Sequence, residues 1–268
     1  MIATAELRVR FLGLHRPGSP LLMPNPWDLG SAKLLAGLGF EALATTSSGH
    51  AATLGRDDGQ VSRDEALAHA DAIATATALP VNADLEKGFA EAPEDVAETV
   101  RLAAATAMAG CSIEDWSGTE LYDRGLAAER VAAAAEAAHA GDAGLVLTAR
   151  AEGCIRGNPD LTEIVARLQS FQEAGADVLY APGLMAADDV ARLVASVDLP
   201  VNVLVRPGGA TVAELAEAGA ARISVGGAFS FVALGAVVEA AQELREGGEL
   251  GFWDLAGKGY RALAGTLD

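Results

Sequence analysis

Three joints in this chain share one form: Ala109-Gly110, Ala174-Gly175 and Ala218-Gly219, each standing just before a short apolar run. Glycine at the end of a helix supplies the left-handed C-cap conformation, and a short helix-to-strand loop forces the next strand to run parallel to the last. Around these joints, short apolar runs alternate with helical periodicity eight times. The spacing places strands at 21–24, 40–46, 80–86, 111–114, 144–150, 177–181, 200–204 and 222–225. Eight strands alternating with helices over about 250 residues is the length and rhythm of a (β/α)8 barrel. A doubly wound open sheet is the runner-up, but no G-x-G-x-x-G turn follows the first strand.

Helix starts carry their own signals. Ser62 with Glu65 forms a capping box opening a helix to about residue 78, and Asp160/Glu163 and Thr211/Glu214 repeat that spacing. Asp28 caps the helix after the first strand. Pro93 sits in a first turn, with Val96, Val100, Ala104 and Met108 along one face of a helix closing at Gly110. A leading helix is expected over 3–15, a polar loop over 47–50 and a long helix over 228–246. With no linker or break in composition, residues 1–268 are expected to form one domain. Residues 247–268, with Phe252, Trp253 and Tyr260, are its C-terminal tail.

Apolar residues make up 51% of the 268 and aromatics 5%, so the core must be built mainly from Ala, Val and Leu. The net charge of −18 repels phosphate backbones and anionic lipid, which argues against nucleic acid and membrane surfaces as partners. An anionic ligand would need a local arginine or a bound cation. Cys111 and Cys154 have no paired spacing, which fits a reducing compartment. The first residues lack the uninterrupted apolar core of a signal peptide, and no apolar run reaches membrane-spanning length. A cytoplasmic location is the expectation.

In a barrel the site lies where strands end and loops begin. Those ends carry Asp28, Thr46, Ser47, Ser48, Asp58, Asp84, Glu86, Glu114, Asp115, Arg150, Glu152, Asn202 and Arg206. Asp84 and Glu86 end the third strand and Glu114 the fourth, so acids far apart in sequence become neighbours. Oxygen ligands around an open position suit Mg2+, or Mn2+ in its place. Any one of these acids alone is more simply a helix cap or a partner of Arg56 or Arg150; Asp84, Glu86 and Glu114 together favour a metal. Arg150 can grip a carboxylate at two points, and a structural pair with Glu152 or Glu114 is nearly as good a reading. Thr46, Ser47 and Ser48 offer hydroxyls and backbone N–H groups to an oxyanion.

The segments ATTSSGHAATLGRDDG, NADLEKGF, CSIEDW, TARAEG and PVNVL…RISVGG together resemble the isocitrate lyase/phosphoenolpyruvate mutase superfamily, over nearly the whole chain. The resemblance implies that Asp58, Asp84, Glu86 and Glu114 hold Mg2+, directly or through water. It implies that Thr46, Ser47 and Ser48 cradle a 2-oxo-carboxylate and that Arg150 neutralises its charge; Asp84 and Asn202, from their places at strand ends, complete the expected substrate-binding set. The last helix would be exchanged between subunits of a homodimer or homotetramer. The reaction implied is carbon–carbon cleavage of a small 2-hydroxy or 2-oxo di- or tricarboxylate through a metal-stabilised enolate.

One loop departs from the superfamily pattern. Lyases carry Lys-[KR]-Cys-Gly-His after strand four, and phosphonate enzymes a lysine with a small polar residue. Here the loop runs Asp115-Trp116-Ser117-Gly118-Thr119-Glu120-Leu121-Tyr122-Asp123. The catalytic candidates are Arg150, Glu114 and Tyr122, and Tyr122, Glu120 and, from another loop, His50 are the candidates to replace the acid missing here. The alternatives are a phosphonopyruvate hydrolase or mutase-type enzyme of the P–C bond, or a protein that binds a 2-oxo acid without turning it over.

Overall fold

A computed structural model of the chain describes residues 4–141, 144–247 and 250–266. The eight apolar runs become parallel strands β1 (Leu21–Met23), β2 (Leu43–Ala44), β3 (Val81–Asp84), β4 (Gly110–Glu114), β5 (Val146–Arg150), β6 (Val178–Tyr180), β7 (Val201–Leu204) and β8 (Arg222–Ser224). They pair in the order β1-β8-β7-β6-β5-β4-β3-β2. At the seam between β1 and β2, the Ala44 N–H donates to the Pro24 carbonyl at 3.1 Å. Buried Asn25 clamps the same seam. Its amide donates to the Thr45 carbonyl at 2.9 Å, and its oxygen accepts the Val225 and Gly226 N–H groups at 3.1 and 2.9 Å. The sheet is a nearly closed (β/α)8 barrel.

The helices are α1 (Thr4–Gly13), α2 (Leu29–Gly37), α3 (Ser47–Thr53), α4 (Arg63–Ala76), α5 (Pro93–Ala104), α6 (Arg124–Ala138), α7 (Leu161–Glu173), α8 (Ala187–Val194), α9 (Val212–Glu217), α10 (Ala228–Arg245) and α11 (Phe252–Ala264). The expected caps form: Ser62 and Glu65 close a capping box on α4, Thr211 and Glu214 one on α9, and Asp28 and Asp160 cap α2 and α7.

Three local expectations change. The loop expected at 47–50 is the start of α3, because Thr46 acts as its N-cap and accepts the Gly49 N–H. The second strand is two residues, not seven, and pairs only with β3. Gly110 does not end a helix either. Gly175 and Gly219 follow their helices with φ of 98° and 89°, but α5 stops at Ala104 and Gly110 is the first residue of β4. A Cβ there would lie 2.7 Å from the Val146 carbonyl and 2.8 Å from the Phe11 ring. Glycine is required at 110 because Phe11 plugs the base of the barrel, not because a turn needs it.

That plug is α1. Fully buried Phe11 packs with Leu21, Met23, Ala42, Ala44, Ala109, Val146 and Val178, and beside it His15 reaches the barrel floor. The His15 Nε2 lies 3.2 Å from Arg222 Nη1 and its Nδ1 2.9 Å from the Phe11 carbonyl. A guanidinium can only donate and a carbonyl can only accept, so His15 is neutral with its proton on Nδ1. Burial, with the Arg222 charge adding to it, depresses the His15 pKa from 6.5 to about 3. The neutral form is therefore the folded one: this site costs nothing above pH 6.5, and stability drains as pH falls from 6.5 towards 3. Relative to a His15→Gln variant, the wild type is expected to lose on the order of 2–3 kcal/mol between pH 7 and 4.5 in urea denaturation. Parallel stability profiles for the two proteins would contradict that.

Candidate active site

A cavity of about 260 Å³ opens at the C-terminal ends of the strands. Its rim carries Thr46, Ser47, Ser48, Asp58 and Asp84, its wall Arg150, Glu152 and Arg156, and its floor Asn82, Asn202 and Arg222. β3 supplies Asp84, whose own N–H donates to Thr45 Oγ1 at 2.8 Å. The Asp84 carboxylate accepts the Ser47 N–H at the start of α3 and the Glu86 N–H, each at 3.3 Å. The chain then turns sharply: Glu86, Gly88 and Phe89 have φ of 49°, 78° and 56°. A Cβ on Gly88 would sit 2.9 Å from Val96 Cγ1 on α5, so glycine lets this loop close against the helix.

Strands β3, β4 and β5 are adjacent, and their ends bring three acids onto one guanidinium. Arg150 Nη1 lies 2.9 Å from Asp84, and its Nη2 2.9 Å from Glu114 and 2.8 Å from Glu152. The Tyr180 ring packs against the guanidinium, 5.4 Å from its centroid. Burial alone would weaken the Arg150 charge, but Glu152, Glu114 and Asp84 outweigh it and hold the proton well above the ordinary arginine value. The pairing that the sequence left open is thus present, with both named partners and Asp84 as a third. Three acids sharing one cation remain an excess: burial first, then Glu152 and Asp84, push the Glu114 carboxyl up despite its contact with Arg150. Glu86 is pushed up to about 7 by burial and by the charges of Asp84 and Asp58.

Asp115 does not face the pocket. Its carboxylate accepts the Glu152 N–H at 2.7 Å and pairs with Arg167 of α7 at 3.1 Å, so it sets the position of Glu152. Arg56, one suggested partner for the site acids, is paired with Glu65 at the surface. Asn202 is 1% exposed on β7 and donates to Ser224 at 3.1 Å. Thr46, Ser47 and Ser48 line the rim, with the Thr46 and Ser48 hydroxyls 3.2 Å apart.

Tyr122 is not brought to the pocket. Trp116 and Leu121 form a bridge that folds the loop into a tight turn, and the Ser117 hydroxyl accepts the Thr119 and Glu120 N–H groups. Lys87 holds the Ser117 carbonyl at 2.8 Å. This path leaves Tyr122 buried against Arg130, with its hydroxyl donating to Glu91. Glu120 is exposed. His50 lies behind Ser47, stacked on His69 at 3.7 Å, outside the main cavity. Arg156 and Arg222 are pocket residues that strand-end reasoning missed: Arg156 lies in the loop after β5, and Arg222 opens β8 instead of ending it. The Asn25 clamp was missed too, and the weak β1–β2 seam is its only signal.

Among the described residues, no three His, Cys, Asp or Glu side chains converge into a closed metal cage. The donor set nonetheless fits Mg2+, which keeps several waters and takes few direct carboxylates. Asp84 and Asp58 line the cavity, and Glu86 is close enough to both for their charges to raise its pKa. A Cβ on Gly59 would lie 3.9 Å from Glu86 Oε2, so the Asp58 loop is seated against Glu86. Every donor is a hard oxygen, and the crowded negative charge is what a divalent cation relieves.

Eight parallel strands alternating with helices in a nearly closed barrel define the TIM-barrel class, here with carboxylates and an arginine at the strand ends. The profile of the family described as phosphoenolpyruvate phosphomutase matches residues 11–245. The chain belongs to that family, within the isocitrate lyase/PEP mutase superfamily. It is 34% identical over 242 residues to an uncharacterized protein of Mycobacterium tuberculosis, covering 90% of each chain. A Burkholderia cenocepacia J2315 protein described as a candidate lyase/mutase is 47% identical and superimposes with a TM-score of 0.89, covering 93% of this chain and 91% of that one. A 2,3-dimethylmalate lyase, described as a PEP mutase/isocitrate lyase superfamily member, is 28% identical with a TM-score of 0.82, over 94% of this chain and 90% of that one. The family is thus one of lyases and mutases.

Proposed function

We propose that the chain is a Mg2+-dependent carbon–carbon lyase acting on a small 2-hydroxy or 2-oxo di- or tricarboxylate through an enolate. The observation that carries this is the convergence of Asp84, Glu114 and Glu152 on Arg150, with Asp84, Glu152 and Arg150 lining one cavity together with Asp58. Asp84, with Glu86, Asp58 and Glu114 around it, would hold the cation. When bound, Mg2+ supplies Lewis acidity to the 2-oxo and carboxylate oxygens. Thr46, Ser47 and Ser48 orient the substrate carboxylate from the rim. Arg150 balances the charge of the acid set, so that a substrate anion can approach it. Tyr180 and the buried strand ends exclude water beneath.

None of residues 116–123 lines the cavity, so the loop brings no proton donor to the product carbon. That observation favours keeping the non-catalytic binder as the second reading. P–C bond chemistry would show as phosphate release or a mutase product from phosphonopyruvate. Incubating the protein and Mg2+ with methylisocitrate, isocitrate, 2,3-dimethylmalate, oxaloacetate and phosphonopyruvate, with product detection, separates the three. Carbon–carbon cleavage products from at least one are expected. Tight binding with no turnover of any would leave the binder.

We further propose that residues 1–268 act as one domain whose C-terminal part joins subunits in a homodimer or homotetramer. Ser230 is the only buried residue of α10, while Phe231, Val232, Val237 and Val238 stand more than half exposed. Trp253, Leu255 and Tyr260 continue the apolar surface on α11; residues 248–249 and 267–268 of the expected tail lie outside the described residues. A contiguous apolar face of this kind marks an interaction surface. Light scattering should give a multiple of the 27.2 kDa chain, and Val237→Glu with Phe231→Glu should reduce it to one. A monomeric wild type would contradict this. Among the described residues no helix is long and apolar enough to cross a membrane; the two free cysteines suit the cytoplasm.

A further inference from the structure

Three arginines line the cavity, and they are not equivalent. Arg150 is saturated by three carboxylates. Arg156 approaches Glu152 at 3.6 Å and stacks over Trp116. Arg222 is 1% exposed, and among the described residues it has no carboxylate within ion-pair distance. Its partner is neutral His15, which takes a hydrogen bond without cancelling the charge. Among the described residues its Nε has no hydrogen-bond partner, and neither do Asn202 Oδ1, Thr148 Oγ1 and Asn82 Oδ1. Burial lowers the Arg222 pKa to about 9, with Tyr180 opposing and Arg150 adding to the shift, so the group is still cationic at neutral pH.

A buried cation without a counter-charge is costly, and its partners are normally present when a site works. Arg222 opens β8 and pairs in register with Asn202, two residues before Ser224 at the strand end. It therefore sits roughly 6–7 Å deeper than the rim where Asp84 and Asp58 gather. The cavity has a negative, cation-seeking rim and a positive floor. A short dicarboxylate spans that separation with one acid group at each end.

We infer that Arg222 is the receptor for a second, non-reacting carboxylate of the substrate, and that the cavity for this reason selects dicarboxylates over monocarboxylates. The inference rests on the 2-oxo/2-hydroxy acid reading of the rim, and it adds the residue and the end of the pocket that set substrate class. An Asn202 amide turned to present its Nδ2 would supply a second donor, with Ser224 then donating to its oxygen.

The test is calorimetric titration of the full chain with Mg2+ present, using pyruvate, 2-oxoglutarate and malate as probes. Wild type should bind at least one of the two dicarboxylates about tenfold or more tighter than pyruvate. Arg222→Met should weaken dicarboxylate binding about 10- to 100-fold, the loss expected for a charge-assisted hydrogen bond, and change pyruvate less than about twofold. If that variant does not fold, Arg222→Gln carries the same comparison, and the wild-type preference needs no variant. Equal weakening of all three probes, or no wild-type preference, overturns the inference while leaving the rim reading intact. If wild type binds none of them with Mg2+, the rim reading falls and takes this inference with it.

Discussion

Replacing Asp84 with alanine should cut turnover roughly 10³-fold or more, since on the proposed metal-assisted reading several kcal/mol of charge stabilisation are lost with it. Asp84 is the node of the site. It receives N–H groups from Ser47 and Glu86, and it pairs with Arg150 at 2.9 Å. No other acid in the cluster touches the rim loop, β3 and Arg150 at once. The fold should survive, because Arg150 keeps Glu114 and Glu152 as partners. A circular dichroism spectrum and melting curve near wild type, together with the lost activity, are the expected pair of results. An Asp84→Ala protein with full turnover of every acid the wild type processes would sink the metal-site reading.

Arg150→Met should act chiefly on stability. Its guanidinium lies between three largely buried carboxylates, with side-chain exposures of 17%, 10% and 1% for Asp84, Glu114 and Glu152. Removing one partner of a buried ion pair typically costs about 3–5 kcal/mol, because the remaining charge is left in a poor solvent. The acids can escape part of that cost by taking up protons. The Glu114 pKa, already raised by burial and by its neighbours, should rise further in the variant. The folded variant then binds more protons than its unfolded chain, so the deficit should be largest above pH 7 and shrink towards pH 5. Urea unfolding of both proteins at pH 5, 7 and 8 reads this directly. A variant as stable as wild type at pH 8 would show that the acid cluster does not depend on Arg150.

Much of this was readable in the letters because it is local. The capping pairs Ser62/Glu65 and Thr211/Glu214 lie three residues apart and form as written. The Ala-Gly joints before strands six and eight follow from one backbone conformation. Asp84, Glu114 and Arg150 could be placed together because strand order in a parallel barrel makes consecutive strands neighbours. Long-range packing was out of reach. Gly110 looked like a helix end, but its role is set by Phe11, about a hundred residues earlier in the chain. Arg222 looked like an ordinary strand start; its meaning comes from His15, 207 residues away, and from the carboxylates it lacks. Tyr122 was misplaced because the turn from Trp116 to Leu121 carries it away from the cavity and towards Glu91, and no local pattern encodes that path.

The most direct test of the metal-assisted acid site is a calorimetric titration of oxalate, as a planar stand-in for a 2-oxo-carboxylate, into EDTA-treated protein with and without Mg2+. Oxalate should bind with a Kd in the micromolar range when Mg2+ is present, at least 100-fold weaker without it, and not measurably to Asp84→Ala under either condition. Oxalate binding of equal strength with and without Mg2+, or unchanged by Asp84→Ala, would contradict the assignment of the strand-end acids as a cation site.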